Sequence, residues 1–198
     1  MIHSSVPFPS RPSGAGAAGA AVPGLRSPAA GFDQPFDMLH ACHERVQRTL
    51  GLLERLRAHL RAQGCDAQAR EAARDVLRYF DIAAPLHHED EELHVFPPLL
   101  AQGSTPVVDL VRQLQREHGA MARLWSQARV PLAAVAQGAP GAAPLSPEQE
   151  RTLDDFASLY AGHIDREEAV AYPAAQGLLQ EASLGGMGQE MARRRGAA

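Results

Sequence analysis

Four stretches of this chain carry apolar residues at alternating spacings of three and four, and each sets a histidine within its apolar seam. In the first, the seam is Phe36, Leu39, His43, Val46, Leu50, Leu53 and Leu60. The second reads Leu77, Phe80, Ala84, His87, Glu91 and His94. The third is Val107, Val111, Leu114, His118, Met121 and Trp125, and the fourth Leu153, Phe156, Tyr160, His163, Glu167 and Val170. A single buried histidine is satisfied by an ordinary hydrogen bond. Four at matching seam positions, two of them followed by a glutamate four residues on, make no packing pattern. A buried, unpaired carboxylate costs several kcal/mol or shifts its pKa until it is neutral, and a metal cation in the same core removes that cost. Neutral imidazoles bind iron, zinc or copper. His-x-x-x-Glu on a helix puts both side chains on one face, a turn apart, within reach of one metal cluster.

The segments have readable ends. The first runs over 34–63 and stops at Gln63-Gly64, the second over 66–96 with a kink at Pro85 and a stop at Pro97-Pro98. The third starts at Ser104-Thr105-Pro106 and continues to about 129. The fourth starts at Ser146-Pro147-Glu148 and reaches Tyr172-Pro173 or a little beyond. Short first and second connections make neighbouring helices antiparallel. The expected fold is therefore all-α, an up-down-up-down antiparallel four-helix bundle over residues 32–180. In that arrangement His43, His87, His118 and His163 come to a similar height, nearer one end. His59 would lie about 24 Å further along the first helix at about 1.5 Å per residue, too far to join them. A Gly/Ala/Pro-rich leader (1–31), a linker near 136–147 and a tail (181–198) are too poor in buriable surface to offset ordering entropy, and flexibility is expected there. The tail ends in Arg193-Arg194-Arg195, read as solvated.

Composition narrows the function. The 198 residues are 45% hydrophobic but only 5% aromatic, which favours helices over sheets. A net charge of −4 with both signs interspersed argues against nucleic acid or an anionic membrane as partner. No stretch approaches the roughly 18 apolar residues of a membrane span, and no signal peptide is evident. Two cysteines, Cys42 and Cys65, without a CxxC pair suit a reducing cytoplasm. Arg-rich flanks on the first two helices would allow a homodimer. No phosphate loop or Ser-His-Asp set is present.

The second segment reads His87-His88-Glu89-Asp90-Glu91-Glu92-Leu93-His94-Val95-Phe96-Pro97. The fourth reads His163-Ile164-Asp165-Arg166-Glu167-Glu168-Ala169-Val170-Ala171-Tyr172-Pro173. Both resemble the HxxxEExxxFP pattern of the hemerythrin family, in its bacterial HHE cation-binding form, with Tyr for Phe in the second copy. His43 with Val46, Leu50 and Leu53 is similar to the family's HxxIxxxLxxL, and Glu117-His118 marks the third helix. The resemblance spans about residues 36–178. It implies two irons bridged by carboxylates and an oxygen species, with His43, His87, His118 and His163 as terminal ligands and Glu91 and Glu167 as bridges. Oxygen carriers of the family have a second histidine on the third helix; Leu114 stands there, which puts simple reversible oxygen carriage in doubt. His88, His40 and His94 are candidates for the missing ligand. His88 is rotated about 100° from His87, His40 is off the seam, and His94 is on it. Glu92 and Glu168 are candidates to support the ligands.

These readings point first to a cytoplasmic non-haem di-iron protein that binds dioxygen, nitric oxide or peroxide, for sensing, scavenging or stress response. A second reading is a redox enzyme or an iron donor for iron–sulfur cluster repair, against which stands a leader without cysteine. A third is a passive metal-binding bundle, holding zinc as purified.

Overall fold

The computed structural model describes residues 31–197, and the leader expected to be flexible falls outside them except for Gly31. Every element among the described residues is helical. Helix α1 spans Pro35–Gln63 and stops at Gly64, whose φ of 78° lies in the left-handed region that favours glycine. Helix α2 spans Ala67–Arg78, opened by the Asp66 carboxylate, which accepts from the Ala69 N–H at 2.8 Å. Then follow α3 (Ala84–Asp90), α4 (Phe96–Gln102), α5 (Thr105–Gln137), α6 (Pro147–Arg166), α7 (Tyr172–Leu178) and α8 (Glu181–Arg194). Ser146 caps α6 reciprocally with Gln149, as its Ser-Pro-Glu start predicts.

Three π-helical turns join these helices into longer rods: Tyr79–Ala83 between α2 and α3, Glu91–Val95 between α3 and α4, and Glu167–Ala171 between α6 and α7. Each ends immediately before an X-Pro step, at Pro85, Pro97 and Pro173. Proline lacks an N–H, and its ring crowds the carbonyl four residues back. Widening the preceding turn by one residue relieves the crowding, and the N–H groups of Ala84, Phe96 and Tyr172 reach the carbonyls of Tyr79, Glu91 and Glu167 instead. The stop read at Pro97 is thus passed through, to Gln102, and the last rod continues a little beyond Pro173, to Leu178.

Two further expectations are corrected. Helix α5 does not end near 129; it carries Pro131 within it and runs to Gln137, ending on Gly138 at φ 68°. The linker after it is packed, with Leu145 buried against the core. The tail 181–198 is not free either, since 181–194 form α8. Met187 and Met191 of α8 are buried against a cluster that includes Phe36, Leu39 and Tyr172. Arg194 and Arg195, read as solvated, bind the buried Asp90, Arg195 at 2.6 Å. Gly188 lets α8 come against the Phe32 carbonyl, a space any Cβ would fill.

The rods pack α1 on α2 and α3, α2 on α5, α5 on α6, and α4 on α5 and α7. Their apolar faces form two clusters. One runs from Val46 through Leu60, Phe80, Trp125 and Leu132 to Phe156 and Ile164. The other gathers Phe36, Val95, Phe96, Leu99, Val111, Leu114, Tyr172 and α8. Each large buried side chain contributes about 1.5–3 kcal/mol. Among the described residues, no helix is long and apolar enough to cross a membrane.

Candidate metal centre

The charged side chains buried in the core are mostly those the seam pattern singled out. His43 (α1), His87 (α3), His118 (α5) and His163 (α6) are buried, and Glu91 and Glu167 have no solvent exposure at all. Both glutamates open a π-turn. Their ligating atoms converge in two sets, each within 4.8 Å: His43, His87, Glu91 and Glu167, and Glu91, His118, His163 and Glu167. The two carboxylates belong to both sets. His88 joins His118 and His163 in a third group, its ring stacked on His118 with centroids 4.1 Å apart.

Three imidazoles are oriented from behind. His43 Nδ1 lies 2.9 Å from Glu168 Oε1, His118 Nδ1 3.0 Å from Glu92 Oε1, and His163 Nδ1 2.8 Å from Glu117 Oε2. All three carboxylates are held below the usual range: burial alone would raise them, but hydrogen bonds from these histidines and from Arg166, Gln115 or His40 outweigh it. An ionised carboxylate only accepts, so each Nδ1 carries a proton and each Nε2 is turned inward. His118 Nε2 and His163 Nε2 then face one another at 3.1 Å. A proton on His118 bridges them in the metal-free chain, and a cation bound by both nitrogens would take its place.

The carboxylates carry the same message. The two oxygens of Glu167 face only imidazoles, His163 Nε2 at 2.9 Å and His43 Nε2 at 3.2 Å, and Glu91 Oε2 faces His118 Nε2 at 3.4 Å. His87 Nδ1 has no hydrogen-bond partner, which costs about 1–3 kcal/mol. Burial and the facing Glu167 push Glu91 up to about 7. Glu167 goes well below its usual range, because contacts with His118, His163 and His43 overcome its burial. His118 is pushed up to about 11: burial lowers it, but bonds to Glu167, Glu91 and Glu92 raise it more. The cluster therefore draws in positive charge. Burial holds His87 and His88 well below the ordinary histidine range, which leaves them in the neutral, ligating form. Imidazole nitrogens and carboxylate oxygens converging on one buried space fit a transition-metal cation.

A model of the hemerythrin HHE cation binding domain matches residues 34–175, which contain every member of this cluster. The chain belongs to the hemerythrin family. An uncharacterized protein of Haemophilus influenzae is also similar, 30% identical over 169 residues that cover 83% of this chain and 91% of that protein. Helix α8 lies beyond the stretch that matches the hemerythrin domain.

Of the nine sequence candidates, the structure brings seven together: His43, His87, Glu91, His118, His163, Glu167 and His88. His40 stands outside, 3.3 Å from Glu168 and 42% exposed. His94 points to α8, where it meets Glu190 at 2.7 Å. His59 pairs with Asp66 at 3.1 Å, away from the centre as its position along α1 requires. Tyr160 packs on Phe80 and Phe156 as a core residue.

Three polar residues were not foreseen. Glu117 orients His163 and is itself gripped by Arg166 at 2.7 Å; the Glu117-His118 pair drew notice, but for His118. Asp90, beside Glu91, is wholly buried and bound by α8. Tyr172 places its hydroxyl 2.5 Å from Glu91 Oε1 and 3.2 Å from His43 Nε2. The π-turns explain both the last surprise and an error. A widened turn sets residue i+5, rather than i+4, above residue i. The seam therefore passes through Val95 and Phe96 instead of His94, and through Ala171 and Tyr172 instead of Val170, which is 40% exposed.

Proposed function

We propose that this hemerythrin-family chain is a non-haem di-iron protein whose centre binds dioxygen or a related small molecule, nitric oxide or peroxide, in sensing, scavenging or stress response. The observation that carries the reading is the sharing of Glu91 and Glu167 between two four-ligand sets, the arrangement in which two carboxylates bridge two cations. His43 and His87 would serve one ion, His118 and His163 the other, with His88 as a further ligand of the second. Iron bound there would supply reversible redox change and an affinity for small diatomic ligands.

The chain's own part is to hold donors in place and to keep water out. Glu168, Glu92 and Glu117 keep the Nδ1 protons of His43, His118 and His163 and so aim each Nε2 inward. The apolar clusters on both sides close the centre from solvent. The antiparallel run of α1 and α6 is in keeping with an up-down-up-down order of four rods. His43, early in α1, meets Glu167 and Glu168 beyond the end of α6, while Arg57, late in α1, meets Glu150 and Asp154 early in α6. Cys42 and Cys65 are free thiols, in keeping with a reducing cytoplasm.

The discriminating experiment exposes the reduced, iron-loaded chain to dioxygen, nitric oxide and hydrogen peroxide in turn. A reversible spectral change with dioxygen or nitric oxide supports a binding role. Sustained peroxide consumption would favour the redox-enzyme alternative, and no response to any of the three would leave a passive metal-binding bundle.

A further inference from the structure

The two copies of the histidine–glutamate pattern end differently, and the structure shows what the difference does. In the first copy, the residue five places after Glu91 is Phe96, whose ring stacks on His118 with centroids 5.6 Å apart. In the second, the residue five places after Glu167 is Tyr172, whose ring stacks on His43 at 5.4 Å, with planes 5° apart. The aromatic rings thus play matching parts about the two halves of the centre. Tyr172 adds one atom that Phe96 lacks, and that atom points into the ligand cluster.

Neighbouring ligands at right angles on a small octahedral ion, with bonds of about 2.1 Å, stand about 3 Å apart. Within the centre, His163 Nε2 and Glu167 Oε1 are 2.9 Å apart, and His43 Nε2 and Glu167 Oε2 are 3.2 Å apart. The Tyr172 hydroxyl stands at that spacing from one member of the first set, 3.2 Å from His43 Nε2, and donates a short hydrogen bond to another, Glu91 Oε1 at 2.5 Å. It therefore lies among the ligand atoms of that set, in a residue with no solvent exposure, where exchanging its proton for a metal ion would make it a ligand.

Building on the two-ion reading, we propose that Tyr172 is a protein ligand, through its phenolate oxygen, of the ferric ion held by His43, His87, Glu91 and Glu167. On binding, the O–H bond is replaced by an O–Fe(III) bond and the proton leaves to solvent; no electron is transferred. Tyrosinate is an established type of iron ligand in haem proteins. The two ions are then unlike. One has two imidazoles, a phenolate and the shared carboxylates, the other up to three imidazoles and the shared carboxylates. An anionic oxygen donor stabilises the ferric over the ferrous form, which biases that ion away from reversible oxygen carriage.

The test uses the full chain loaded with iron and oxidised. The wild type should show a visible phenolate-to-iron charge-transfer band, with resonance-enhanced tyrosine ring modes that shift when ring-deuterated tyrosine is incorporated. Tyr172→Phe, which removes one oxygen and installs the residue the first copy already has, should lose the band, keep two irons per chain and raise the ferric/ferrous midpoint potential. Tyr160→Phe should keep the band. Two irons per wild-type chain without the band, or a band that survives Tyr172→Phe, would overturn the ligand assignment and leave the two-ion reading intact. Failure of the wild type to take up iron would overturn both. The isotope shift in the wild type decides the matter even where the variant does not fold.

Discussion

Replacing Asp90 with alanine removes the anchor that ties α8 to the rod carrying Glu91. Asp90 is fully buried, and its carboxylate accepts from Arg194, and from Arg195 at 3.2 and 2.6 Å. A hydrogen bond to a charged partner is worth about 1.5–3 kcal/mol, and severing a fully buried pair costs about 3–5 kcal/mol. Here the arginine side chains keep 16% and 18% of their exposure, so they can turn to water. Arg194 also retains Glu190 at 2.7 Å and Glu89 at 3.1 Å. The net loss should therefore sit below that range, at about 2–3 kcal/mol. For a chain of this size each kcal/mol moves Tm by about 2–4 °C, which makes the drop about 4–12 °C. Urea unfolding and thermal melts followed by far-ultraviolet circular dichroism measure it, and hydrogen exchange should show α8 losing protection before the other helices. A loss under about 0.5 kcal/mol, the range of ordinary surface substitutions, or α8 protection equal to wild type, would refute the idea that this ion cluster holds the helix.

Other substitutions and conditions test the centre. His88→Ala should weaken the second ion while the first stays bound; His40→Ala and His94→Ala should leave metal content unchanged, because those rings are engaged with Glu168 and Glu190. Glu117→Ala, which frees the His163 ring and strands Arg166, should lower metal affinity about 10- to 100-fold in competition with a chelator. The metal-free chain should lose stability from pH 7 to pH 9. His118, raised to about 11 from 6.5, holds a proton in the folded chain that the unfolded chain has already released, so its contribution fades as pH climbs towards 11. His87 and His88, lowered by burial, act in the opposite sense only below 6.5 and do not enter that window. Because ligands bind metal deprotonated, the Tm gained on adding metal should grow over the same interval. A metal-free chain that is more stable at pH 9 than at pH 7 would count against these assignments.

The histidine-bearing seams were legible because α-helical periodicity is a local property: His43, His118 and His163 lie where spacings of three and four put them, and Leu114 is buried where the family's carriers have histidine. What the pattern missed begins at the three X-Pro steps. Pro97 and Pro173 carried the signal, but a proline reads as a stop, and only the folded chain shows the rod widening to pass it. That one-residue shift put His94 and Val170 wrongly on the seam and hid Tyr172. Helix α8 escaped notice for another reason. Its glycines suggested a flexible tail, whereas Met187 and Met191, one turn apart, find a surface only once the bundle has formed. The partners of Asp90 lie more than a hundred residues away in sequence and leave no local trace.

The central claim is two cations bridged by Glu91 and Glu167. Metal content per chain, measured on wild type and on Glu167→Ala after loading with iron, tests it most directly. The account predicts about two irons per wild-type chain, with near-ultraviolet charge-transfer bands that bleach on reduction. It also predicts loss of affinity for both ions in Glu167→Ala, since that carboxylate belongs to both ligand sets. One ion per wild-type chain, or a Glu167→Ala variant that still holds two tightly, would contradict it.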